Sequence, residues 1–203
     1  MKLFRTGDGS PDQRTVWREM ATLLNGELIE GSRQTADKIV VRHGPWRIVT
    51  DVHVQNNGQT TTIYTRVRAH FAGWRGLRVL VRRRNLFDRV WEGLGFGSRL
   101  PVSPALLERY VVKGKPEARV PSLLAAPDLQ AAIQAAESLR LQVKRPGRKA
   151  RKRHGQDTGE VMARTTGILR DLGRLAGLIR TVAETLNALH RVGEARHEEL
   201  PGG

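Results

Sequence analysis

Cysteine is absent from the chain, which excludes a disulfide framework, a thiolate metal centre and a cysteine nucleophile. Aromatic residues make up 5% of the sequence, so the core has to be built mainly from aliphatic side chains. No run approaches the eighteen or so consecutive apolar residues of a membrane-spanning helix. The opening Met1-Lys2-Leu3-Phe4-Arg5 lacks the apolar stretch of a secretory signal, so a cytoplasmic protein is expected. Nothing recurs at a fixed period, which removes solenoids and propellers. Acid is also scarce: 20 Asp and Glu face 35 Lys and Arg, a formal net charge of +15.

The 203 residues and 39% apolar content suffice for a single globular domain, and the excess charge sits in two places. Residues 66–89 hold eight arginines (Arg66, Arg68, Arg75, Arg78, Arg82, Arg83, Arg84, Arg89) against Asp88 alone. Residues 140–153 hold eight more basic side chains (Arg140, Lys144, Arg145, Arg148, Lys149, Arg151, Lys152, Arg153) and no acid. Together the two stretches account for the whole excess of +15. Clustering of this kind points to an anionic partner.

Ser10-Pro11 with Gln13 reads as a helix start, followed by an apolar face of Val16, Trp17, Met20, Leu23 and Leu24, with Gly26 as terminator. Residues 27–30, 38–42 and 46–54 read as strands, with turns at His43-Gly44-Pro45 and Asn56-Asn57-Gly58. Residues 60–71 and 77–84 alternate around Ala72 to Gly76 and read as a hairpin. In that hairpin Val67, Ala69, Phe71, Leu77, Val79 and Val81 line one face, and Tyr64, Arg66, Arg68, Arg78, Arg82 and Arg84 the other.

Asn85 is placed to cap a short helix carrying Phe87, Val90, Trp91 and Leu94, ending in a glycine-rich stretch at 93–97. Residues 110–112 and 139–144 read as strands and 160–166 as a weaker one, while Pro116 and Pro127 suit helix starts. Residues 145–157 read as a basic, mobile loop between the last two strands. Ile168, Leu172, Leu175, Leu178, Ile179, Val182, Leu186 and Leu189 recur at helical spacing up to Gly193, and Gly173 and Gly177 suit a close packing partner. The expected fold class is α+β: a mainly antiparallel sheet with an N-terminal helix, short connecting helices and a long C-terminal helix packed on it. Residues 10–193 form the domain, with tails at 1–9 and 194–203.

The ordered set of Trp17 to Gly26, Trp46-Arg47-Ile48, Tyr64 to Phe71, Leu77 to Arg84, Tyr110 to Gly114, Gly167-Ile168-Leu169 and Glu184 to Leu189 resembles an uncharacterised bacterial protein family, a domain of unknown function. The resemblance implies an α+β fold with a terminal helix and carries no activity. The basic insertion at 145–155 has no counterpart in that pattern.

Catalytic motifs are missing from the sequence. His43, His53, His70, His154, His190 and His197 are scattered without ligand spacing, and no nucleophile elbow or phosphate loop occurs in context. Asp51 and His53 share a strand face, which without a nucleophile or substrate pocket reads as a solvated surface rather than as an acid-oriented base. No enzyme activity, cofactor or metal is expected. The expectation is a non-enzymatic module that binds DNA or RNA with low sequence specificity. Its contacts would be Tyr64, Arg66, Arg68, Arg78, Arg82 and Arg84 on the hairpin, and Lys144, Arg145, Arg148, Lys149, Arg151, Lys152 and Arg153 in the loop. The alternative is a protein-interaction or scaffold module, homodimeric or with another protein, whose basic loop meets an anionic protein or membrane surface.

Overall fold

The structure, a computed structural model, describes residues 11–32, 36–85, 88, 100–136 and 138–197. Alternating apolar residues build eight strands: β1 (Gly26–Ile29), β2 (Lys38–His43), β3 (Trp46–Asn56), β4 (Thr61–Phe71), β5 (Arg78–Arg83), β6 (Tyr110–Lys115), β7 (Arg140–Lys144) and β8 (Gly159–Thr166). They form one antiparallel sheet in the order β1-β2-β3-β4-β8-β7-β5-β6. Helices α1 (Pro11–Leu23), α2 (Pro104–Arg109), α3 (Val120–Leu124), α4 (Pro127–Ala135), α5 (Arg148–His154) and α6 (Leu172–Arg191) complete it, with a 3₁₀ turn at Glu117–Arg119. The α+β class is as the sequence implied.

Every second residue of the central strands points to one side, and there Val67, Ala69, Phe71, Val79, Val81, Leu141, Val143, Val161 and Ala163 are buried. The long helix α6 covers this side with Leu175, Leu178, Ile179, Val182, Leu186 and Leu189. Asp171 caps it by accepting a hydrogen bond from the Arg174 N–H, so the helix begins at Leu172 and leaves Ile168 outside. Burying Trp17 and Trp46 leaves two indole N–H groups that need acceptors: Trp17 donates to the Leu169 carbonyl (3.2 Å) and Trp46 to Asn187 Oδ1 (2.8 Å). These bonds tie α1 and β3 to the C-terminal segment.

Five expectations need correction. First, β4 and β5 do not pair. The β7–β8 pair lies between them, β4 pairing with β8 and β5 with β7. The intercalation depends on Gly159, opposite Phe71 in the ladder, because a Cβ there would lie 2.1 Å from the Phe71 ring. The face assignment is nevertheless correct, because strand parity fixes the face whatever the neighbour. Second, residues 148–154 of the expected loop form α5, which ends at Gly155 with φ +100.

Third, α1 closes at Asn25 (φ +50), and Gly26 is instead the first residue of β1, pressed against the Val40 carbonyl. Fourth, residues 194–197 are not a loose tail: Glu194 is buried and pairs with Arg119, Arg196 bridges to Ala72, and His197 stacks on His190. Fifth, among the described residues nothing packs closely over Gly177, and Gly173 meets only the Asp171 carboxylate. Asn85 does accept from the Asp88 N–H, in a reciprocal cap. Phe87, Val90, Trp91, Leu94 and the 93–97 glycines lie outside the described residues, as does Ser10.

Candidate anion-binding face

The long helix α6 covers the apolar side of the sheet; the other side carries the charge. Antiparallel partners share a face, so the ladder pairs Asp51–Arg66, Arg66–Arg164, Arg164–Arg140 and Arg140–Arg82 define a continuous cross-strand row. Four arginines stand side by side on β4, β8, β7 and β5. Like charges directly opposite one another destabilise a sheet unless compensated.

Compensation comes at the two ends of the row. Asp51, almost fully buried, receives Arg66 through both Nε (2.8 Å) and Nη2 (2.9 Å), and also Arg68 (2.8 Å). At the other end Arg82 makes a two-pronged pair with Asp88, which holds that carboxyl at about 2, well below its ordinary value. Arg84 donates to the Leu107 carbonyl. The arginines expected to reach for phosphate are therefore largely engaged within the protein. Asp51 is the anchor of an ion-pair cluster and not the orienting acid of His53.

The middle of the row is different. The Arg140 side chain is half-buried and makes no hydrogen bond or ion pair with the described residues. Burial, and after it the charges of Arg164 and Arg82, lowers its pKa from the usual arginine value. Arg164 lies over the Tyr64 ring, 4.4 Å from its centroid, and its closest polar partner is Gln55 Oε1 at 3.4 Å. Tyr64 is thus already stacked on a guanidinium. The Nε atoms of Arg140 and Arg164 are both enclosed without an acceptor.

Along the same face, α5 arches over β2–β4 and encloses a groove of 790 Å³. Its cationic walls are Lys38, Arg42, Arg47, Arg68, Lys149 and Arg153; the one carboxylate lining it among the described residues, Glu160, lies 3.7 Å from Lys144. The helix rests on the sheet through His154, whose ring centre is 4.9 Å from that of His70. His70 is held neutral, its pKa lowered to about 4 by burial and then by the charges of His154, Arg68, Arg47 and Lys144.

Of the loop residues expected to bind, Lys149 and Arg153 line this groove, Arg148, Arg151 and Lys152 are on the same short helix, and Arg145 lies against Trp74. Arg78 is exposed beside the Gln142–Lys144 end of β7. Sequence reasoning missed Lys38, Arg42, Arg47, Arg164 and the His70–His154 contact. The alternation of 38–42 and 160–166 was visible, but nothing local says which strands adjoin. Among the described residues no group of three His, Cys, Asp or Glu could hold a metal ion, and no helix is long and apolar enough to cross a membrane.

No family model, curated protein or solved structure matches the chain, in keeping with an uncharacterised family.

Proposed function

We propose that this protein is a non-enzymatic, cytoplasmic module that binds nucleic acid with low sequence specificity. The observation that carries this reading is the groove beneath α5: five cations line it besides the Asp51-held Arg68, and among the described residues its one carboxylate is already beside Lys144. Such a wall neutralises a phosphate backbone without reading bases. The proposed contacts shift from the arginines held by Asp51 and Asp88 to Lys38, Arg42, Arg47, Lys149 and Arg153. Arg148 and Lys152 add exposed charge from α5.

A protein partner or homodimer docking on the helices has less to support it. The large apolar side chains exposed among the described residues, Leu23, Ile29, Ile63 and Val192, are scattered over separate elements. Fluorescence anisotropy with single-stranded and duplex oligonucleotides across a salt series tests the proposal. With about five phosphates neutralised, log K falls against log salt with a slope of about −4.5 on duplex DNA and about −3.5 on a single strand. No binding at about 50 mM salt, a condition that favours such contacts, or equal competition by anionic vesicles, overturns it.

A further inference from the structure

The groove accounts for the cations of β2, β3 and α5, and leaves the middle of the arginine row unexplained. We propose that Arg140 and Arg164 form a discrete seat for one phosphate group, separate from the groove and independent of whether the groove binds nucleic acid.

The argument is one of charge placement. Four arginines occupy adjacent ladder positions across four strands, and the protein supplies a carboxylate to the first (Asp51 to Arg66) and the last (Asp88 to Arg82). The two between them receive none from the described residues. Arg164 is steered by the Tyr64 ring beneath it, which fixes its guanidinium plane. Arg140 is partly desolvated among positive neighbours, where the absence of a counter-charge costs most.

Solubility does not explain such a pair, because an exposed lysine serves that end without the burial. A phosphate bridging the two forks removes the repulsion on both sides of the β7–β8 ladder and gains hydrogen bonds that no protein group supplies. The seat takes one tetrahedral anion, and the planar guanidinium forks favour phosphate over the singly charged, spherical chloride.

The test uses the intact chain and inorganic phosphate against chloride at matched ionic strength. Phosphate is expected to raise the melting temperature of the wild type beyond the chloride control by about 2–4 °C. Arg140→Met is expected to melt higher than the wild type at low salt, because it removes an uncompensated charge, and to lose the phosphate response. A merely structural arginine gives the opposite stability change. Should the variant misfold, the side-chain Nε resonances of Arg140 and Arg164 in the labelled wild-type protein provide the second readout, and both are expected to shift on phosphate titration while Arg66 stays in place.

A wild-type response no larger than that to chloride overturns the seat, as does a response retained by both Arg140→Met and Arg164→Met. Displacement of phosphate from these resonances by a single-stranded oligonucleotide assigns the phosphate to a nucleic-acid backbone. Persistence of the phosphate signal beside a groove-bound oligonucleotide assigns it to a small phosphorylated ligand. An oligonucleotide that fails to bind the groove leaves the phosphate titration, and hence the seat, standing.

Discussion

The two basic stretches carry almost the same charge in sequence and have opposite fates in the fold. In 66–89, Arg66 and Arg68 converge on Asp51 and Arg82 pairs with Asp88. In 140–153, none of the five cations of α5 meets a carboxylate among the described residues, Arg140 has none either, and only Lys144 stands near one, Glu160. A local sum of charge does not separate these cases, because the neutralising Asp51 comes from another strand, 15 residues before Arg66. What separates them is position: the first stretch runs within a sheet interior, where an uncompensated charge is costly, and the second sits largely on a short helix at the surface, where it is not.

The sharpest way to break this comparison is Asp51→Asn. It leaves Arg66 and Arg68 charged, partly buried and without their common partner. The expected loss is about 3 or 4 kcal/mol of unfolding free energy by denaturant titration. A loss within about 0.5 kcal/mol, the range of an ordinary surface change, makes the first stretch as solvated as the second and restores it as a binding surface.

Acid acts next, through the contact that seats α5. His70 has a folded pKa of about 4, below the 6.5 of an unexposed-to-charge histidine, so the unfolded chain binds the proton first. Its contribution to stability is complete above about pH 6.5 and is lost as the pH falls towards 4. The depression corresponds to on the order of 3 kcal/mol at most. Denaturation midpoints followed from pH 7.5 to 4.5 are expected to fall in the wild type and to fall less in His70→Gln. Equal slopes in the two proteins place the acid sensitivity elsewhere.

The elements that the sequence made legible are those whose signal is carried by a face. The burial of Val67, Ala69, Phe71, Val79 and Val81 followed from alternation alone, and α6 from its three-and-four spacing. Neighbour choice was not legible. The six residues linking β4 to β5 look like a hairpin loop, and the strands that separate the pair arrive only at 140–166. Helix α5 escaped for a related reason: its one apolar side chain, Ala150, lines the groove with His154 a turn later, too little apolar surface to register as amphipathic. The candidate site combines both kinds of element. Lys149 and Arg153 were visible as charge, whereas Lys38, Arg42 and Arg47 become part of the same wall only when β2, β3 and α5 are brought together.

Charge reversal on α5 sharpens the contrast from the other side. Lys149→Glu with Arg153→Glu is expected to change stability by less than about 0.5 kcal/mol, because neither side chain has an ion-pair partner to lose among the described residues. The same variant reduces the duplex salt slope by about 1.8, the share of two phosphate contacts, and weakens unrelated sequences equally. Anisotropy and thermal denaturation on one preparation read both effects. A large loss of melting temperature with an unchanged slope gives α5 the structural role assigned to Arg66.

The smallest expected effect has the opposite sign. Among the described residues Glu160 is the one carboxylate lining the groove, beside Lys144 at 3.7 Å, and Lys144 is itself 41% exposed. The pair is long and its Lys144 partner solvated, while the Glu160 carboxylate is buried, where holding a charge is costly, so Glu160→Gln is expected to change stability by less than about 1 kcal/mol. For a phosphate backbone entering the groove, however, the carboxylate is a like charge at close range, and its neutralisation removes repulsion that Lys144 only partly screens. Affinity is expected to rise by about threefold to tenfold, the equivalent of about 1 kcal/mol, with the gain shrinking as salt is added. Tightening at low salt with little change in melting temperature is the result expected of phosphates bound beneath α5, where Glu160 lines the wall. Unchanged affinity at low salt removes the groove from the binding surface.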